Sequence, residues 1–140
     1  MILLDAVEIV ESSRNQFAIR FEPSLFQTRP MWAIDDEPLI STINKCDRET
    51  AIMIACTSFG AWQMLGCNIY GQGYKNPIAN FFEARAAQQL LAEQFIRECG
   101  AEPLADMVRL SDPTLLDFAR RWNGPGNPQA YLAALRRAAA

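Results

Sequence analysis

Apolar residues recur at helical spacing along most of this chain, and a single short stretch alternates as a strand does. That stretch is Phe17-Ala18-Ile19-Arg20-Phe21-Glu22, rich in β-formers and closed by Pro23. The chain must therefore fold as a mainly α-helical body with a small β element near residues 17–26. A first helix is predicted from about Ile2 to Ser13. A second opens at Asp47, a good N-cap, and runs through Ala51-Ile52-Met53-Ile54-Ala55-Cys56 towards Gly60. A long third helix starts with Pro77 in its first turn and stops at Gly100, with Phe81, Ala84, Leu91 and Phe95 on its apolar stripe. Short helices are predicted at Pro103 and at Asp112-Pro113, and a last one at Asn127-Pro128. Between Pro23 and Lys45 the pattern is irregular. It is long for a plain loop and reads as a lid or binding wall. Gly60 to Lys75 is rich in glycine, aromatics and amides, and reads as turns around a site.

At 140 residues the chain fits one domain, residues 1–140, and half of it is hydrophobic, enough for one core without staples or metals. The net charge is −3 and the thirteen Lys and Arg are scattered, which argues against a nucleic-acid partner. No window has the apolar length for membrane insertion. The start, Met1-Ile2-Leu3-Leu4-Asp5, lacks a basic region and carries acids at Asp5 and Glu8, so no signal peptide is expected. The expectation is synthesis in the cytoplasm, with Cys46, Cys56, Cys67 and Cys99 as reduced thiols.

The chain contains no histidine. Ser-His-Asp and Cys-His catalysis are thereby excluded, and the commonest metal ligand is gone. No cofactor or metal is expected. Acid–base chemistry would fall to a carboxyl group whose pKa is raised by burial. On a wheel of about 100° per residue, Asp5, Glu8, Ile9 and Ser12 share one side of the first helix. Glu11 leaves them for the edge of the apolar arc of Leu3, Ala6, Val7 and Val10. It also sits in the last turn, where the helix dipole disfavours a negative charge. Both effects favour a protonated acid. The plainer alternative is a boundary glutamate reaching for water. Glu22 is a second carboxylate after a short turn, or simply an edge-strand charge. Asp35-Asp36-Glu37 reads as a solvated acidic run.

Three blocks of sequence carry a resemblance. They are Val10-Glu11-Ser12-Ser13 with Ile19-Arg20-Phe21-Glu22-Pro23-Ser24-Leu25-Phe26, then Ser58-Phe59-Gly60-Ala61-Trp62-Gln63-Met64-Leu65-Gly66-Cys67-Asn68 with Gly73-Tyr74, then Phe118-Ala119-Arg120-Arg121-Trp122-Asn123-Gly124-Pro125, ending with Tyr131. In order and spacing, over nearly the whole chain, they resemble the N-acetylmuramidase family of phage endolysins and prophage regions, a branch of the lysozyme-like superfamily. The resemblance implies an α+β lysozyme-like fold acting on peptidoglycan glycan strands in the periplasm or cell wall. It implies Glu11 as the catalytic acid and Glu22 as a candidate second acid. Ser58, Gln63 and Asn68 would line the sugar cleft, and Trp122-Asn123 would face the acid. Amides and hydroxyls suit sugar hydrogen bonding, and Trp62, Tyr70 or Trp122 could stack on a pyranose.

This sequence departs from the family pattern at three points. Arg14 stands where a glycine is usual, Ser24 after Pro23 where a histidine is usual, and Trp122 where a tyrosine is usual. The short lead before the first block suggests a domain carried by a larger assembly such as a virion, or an endolysin needing export help. Three readings follow: a muramidase, a lytic transglycosylase giving an anhydro product, and a degenerate domain that binds glycan without cutting it.

Overall fold

A computed structural model describes residues 1–140. The first helix, α1 (Leu3–Ser12), has Ile2 at its N-cap, which offers no capping side chain. The N–H groups of Leu3 and Leu4, which have no partner within the helix, instead donate to the carbonyls of Ala105 and Pro103, at 3.0 and 2.9 Å. Leu3, Leu4, Ala6 and Val7 are buried in the main core.

Strand β1 (Ile19–Phe21) falls within the predicted stretch. It pairs antiparallel with β2 (Thr57–Phe59), Ile19 opposite Phe59, and β2 pairs with β3 (Met64–Leu65). The region from Pro23 to Lys45 is not irregular. It forms α2 (Pro23–Thr28), α3 (Met31–Ile34) and α4 (Glu37–Asn44). Pro23 and Pro38 sit in first turns and Pro30 at an N-cap, so these prolines start helices rather than break them. Arg29 and Lys45 end α2 and α4 in the left-handed conformation usually held by glycine, at φ 47° and 51°. The acidic run Asp35-Asp36-Glu37 spans the junction of α3 and α4, with Asp36 at the N-cap of α4.

Helix α5 (Arg48–Ala55) is capped by Asp47, which accepts from the Thr50 N–H. It stops at Ala55, short of Gly60, because the chain turns into β2. Helix α6 (Gly66–Gly71) follows β3 directly, inside the stretch expected to be turns. A Cβ on Gly66 would stand 2.0 Å from the Ile54 carbonyl oxygen, so glycine is what lets α6 start against α5.

The expected long helix is two, α7 (Ile78–Phe81) and α8 (Arg85–Glu98), interrupted at residues 82–84. Buried Gln88 compensates the break by donating from Nε2 to the Phe81 carbonyl at 2.7 Å. Pro103 opens a turn rather than a helix, followed by a single 3₁₀ turn, Met107–Arg109. Helices α9 (Asp112–Asn123), capped by Ser111 and longer than expected, and α10 (Pro128–Ala139) open where predicted and pack as a pair, with α10 also against α1. No helix is long and apolar enough to cross a membrane. All four cysteines are free, and burial pushes the thiols of Cys67 and Cys99 up to about 12 and about 11. The fold is mainly helical with a small antiparallel sheet, as the patterning predicts, and is consistent with the lysozyme-like arrangement that the resemblance implies.

Candidate active site

The last turn of α1 opens onto a cleft of about 780 Å³. Glu11 sits there partly buried. Its Oε1 accepts two hydrogen bonds, from the Tyr131 hydroxyl at 2.6 Å and the Trp122 indole N–H at 2.9 Å. Its Oε2 has no protein donor. Burial raises the pKa of this carboxyl above its ordinary value. The bonds from Tyr131 and Trp122 oppose that rise, as does the charge of Arg20, while the charge of Glu22 adds to it. Burial wins, so Glu11 holds its proton to a higher pH than a free glutamate does. Glu11 therefore does not reach out into water as a boundary residue would.

Glu8, one turn earlier, corrects the wheel. It does not belong to a solvated face but is 1% exposed. Its Oε1 lies 2.5 Å from Arg85 and its Oε2 3.7 Å from Arg14. The Arg85 guanidinium also covers the Trp62 ring, 5.2 Å from its centroid.

Glu22 enters the same cleft from the N-cap of α2. Its backbone N–H is fixed to the Cys56 carbonyl at 2.9 Å, and Arg20 Nε donates to its Oε1 at 2.8 Å. Pro23 behind it starts α2.

Ser58, Gln63, Asn68, Trp122 and Asn123 also line the cleft. Gln63 is delivered by the turn between β2 and β3 and has φ 49°. That turn is clamped from both sides. Gln88 Oε1 accepts from the Ala61 N–H at 2.9 Å, and the Ser12 hydroxyl donates to the Ala61 carbonyl at 2.6 Å. Gly60, at φ 84°, has no room for a Cβ, which would meet Gln88 at 2.6 Å.

Tyr70 is not in the cleft. It is 2% exposed, its hydroxyl is tied to Asn44 and Asn76, and it packs on Tyr74. Trp62 is equally buried, with its N–H donated to the Leu4 carbonyl. Amphipathic aromatics fill cores as readily as clefts, and the sequence does not separate the two uses. No three His, Cys, Asp or Glu side chains converge as a metal site would require.

Residues 39–140 match a family model described as N-acetylmuramidase. The endolysin of Enterobacteria phage PRD1 is 36% identical over 127 residues, covering 87% of this chain and 85% of that protein. The chain belongs to the N-acetylmuramidase family. It is a lysozyme-like enzyme, a muramidase that acts on peptidoglycan. No solved structure matches it. Glu11 and Glu22 lie ahead of the stretch matched by the family model, so their case rests on the geometry of the cleft. Sequence reasoning passes over several contributors to the cleft, three of which bear on its chemistry. Tyr131 closes the third block but gives no sign of reaching Glu11, 120 positions away. Arg20 and Trp32 line the cleft as well, Trp32 from the segment read as a binding wall.

Proposed function

We propose that this muramidase hydrolyses the β-1,4 bond between N-acetylmuramic acid and N-acetylglucosamine, with Glu11 as the proton donor. The observation that carries this is the division of labour within one carboxyl group. Oε1 is occupied by two neutral donors, so the proton belongs on Oε2, the oxygen left for a ligand. Protonation of the glycosidic oxygen by Oε2 breaks the bond at C1 and leaves an oxocarbenium-like sugar. Glu11 becomes a carboxylate at that moment. Tyr131 and Trp122 then stabilise the new charge without having to move.

Glu22 is the candidate for the second step. Arg20 occupies its Oε1, which leaves Oε2 to take a proton from an incoming water. The oxygen of that water bonds to C1, and the product is a reducing sugar. The two carboxyls and the amide-bearing turn in one cleft support hydrolysis of a glycan. The Trp122-Asn123-Gly124-Pro125 block, which lines the cleft with Glu11, supports a second reading, in which the muramic 6-hydroxyl bonds to C1, gives its proton back to the Glu11 carboxylate and leaves an anhydro sugar. Mass spectrometry of the released muropeptides separates the two, because the anhydro product is lighter by one water.

Arg14 weakens the case for a degenerate domain. It holds φ 69°, the left-handed conformation for which a glycine would be kept, so the substitution does not require a different turn after α1. A phage or prophage origin, with release or virion delivery to the periplasm, fits the endolysin relative. The decisive test is Glu11→Gln, assayed by clearing of permeabilised Gram-negative cells. A loss of about 10³-fold is expected. Unchanged clearing removes Glu11 from the chemistry.

A further inference from the structure

A pyranose ring has an apolar face, and a cleft that takes a glycan strand needs a flat apolar surface to meet it. The sequence offers Trp62, Tyr70 and Trp122 for this, and none is free. Trp62 and Tyr70 are in the core. Trp122 spends its N–H on Glu11, and its ring packs against Phe95 and Phe118 at centroid distances of 5.3 and 5.7 Å.

Trp32 is different. It lines the same cleft and is 59% exposed. A single exposed indole on a protein surface is ordinary. Here its seat is built. Ala33, next in the chain, is 1% exposed and belongs to a small core of its own with Ile52 and Cys56, against which Leu25, Phe26 and Ile34 also pack. Those contacts fix α3 and leave the indole out of the core. Leu25, from α2, lines the cleft too.

We propose that Trp32 is a stacking platform for one sugar ring of the glycan strand, and that α2 and α3 form the wall that carries it. This rests on the reading of the cleft as a glycan site, and it adds a subsite to that reading. Stacking of this kind holds substrate and transition state alike. Its loss should raise KM and leave kcat nearly unchanged.

Three proteins suffice for the test: wild type, Trp32→Ala and Trp32→Phe. Because the residue is exposed, both variants should fold. On purified peptidoglycan, Trp32→Ala is expected to raise KM about tenfold with kcat within about twofold, and Trp32→Phe to restore most of the loss. Titration with triacetylchitotriose should shift the tryptophan emission of the wild type to the blue, and the shift should shrink by more than about half in Trp32→Phe, where Trp122 is the remaining cleft indole. A wild type that cleaves while Trp32→Ala keeps its KM overturns the proposal, as does a shift equally large in Trp32→Phe. A wild type that gives the shift but releases no muropeptides leaves the stacking platform standing and removes the hydrolase reading.

Discussion

Helix α1 carries two glutamates one turn apart, and the protein treats them in opposite ways. Glu8 is buried in a cluster with the cations Arg85 and Arg14. Glu11 is held by Tyr131 and Trp122, which donate hydrogen bonds but carry no charge. A carboxyl group between two guanidinium groups is a structural tie, joining α1 to α8 and to the turn that follows α1. A carboxyl group among neutral donors can be held with or without its proton, which is what a proton donor needs. The surroundings, not the residue type or the helix, separate the structural carboxyl from the proposed proton donor.

Glutamine at each position should separate the two most widely. Glu11→Gln is expected to lose about 10³-fold in activity, whereas Glu8→Gln should keep activity within about threefold once folded. In stability the two should move in opposite directions. Burial raises the pKa of Glu11 in the folded state. Between the ordinary glutamate value and that raised one, the folded protein binds more protons than the unfolded chain. Stability therefore falls as pH rises through the window. Glutamine escapes this loss. Glu11→Gln should melt above wild type at about pH 8, and the gap should close near pH 4. Glu8→Gln should be less stable by about 1–3 kcal/mol. That is less than for a fully buried pair, since Arg85 is 41% exposed. Calorimetry across pH reads both. If Glu11→Gln also melts lower at pH 8, the burial of Glu11 does not govern its charge.

Tyr131→Phe sharpens the contrast by taking one neutral donor away. The hydroxyl stabilises the Glu11 carboxylate, so its loss should raise the pKa further. The alkaline limb of the pH–rate profile should move up, and kcat should fall about three- to tenfold, because the acid is weaker and its anion less supported. A limb that moves down would mean that Tyr131 does not stabilise the carboxylate.

Much of this was legible in the sequence, and the failures share a cause. Caps and periodicity are local, so α1, α5, α9 and α10 could be read from the apolar arc of α1 and from Asp47, Asp112-Pro113 and Asn127-Pro128. Glu11 stood out because its own helix misplaces it. Glu8 did not, because the partner that buries it, Arg85, comes 77 positions later. The two halves of the β2–β3 hairpin are too short to show alternation. α2 and α4 end at arginine and lysine in a glycine-like conformation, which no helix-stop rule detects. The roles of Trp32, Trp62 and Tyr70 depended on which aromatic faces the packing leaves open.

The smallest expected effect tests the edge of the Glu8 cluster. Arg14 adopts φ 69° at a position where the family pattern has glycine. Arg14→Gly would relieve about 1 kcal/mol of backbone strain. It would also add about 0.5–1 kcal/mol of chain entropy to the unfolded state and give up the 3.7 Å ion pair with Glu8. With Arg14 51% exposed, that pair is worth about 0–1 kcal/mol. The terms nearly cancel, so stability should change by less than about 1 kcal/mol and activity by less than about twofold. In a Glu8→Gln background the ion pair is already gone, and Arg14→Gly should become the more favourable change of the two settings. A loss of activity beyond about tenfold in the wild-type background would mean that Arg14 has taken a working role, one that a glycine could not have filled.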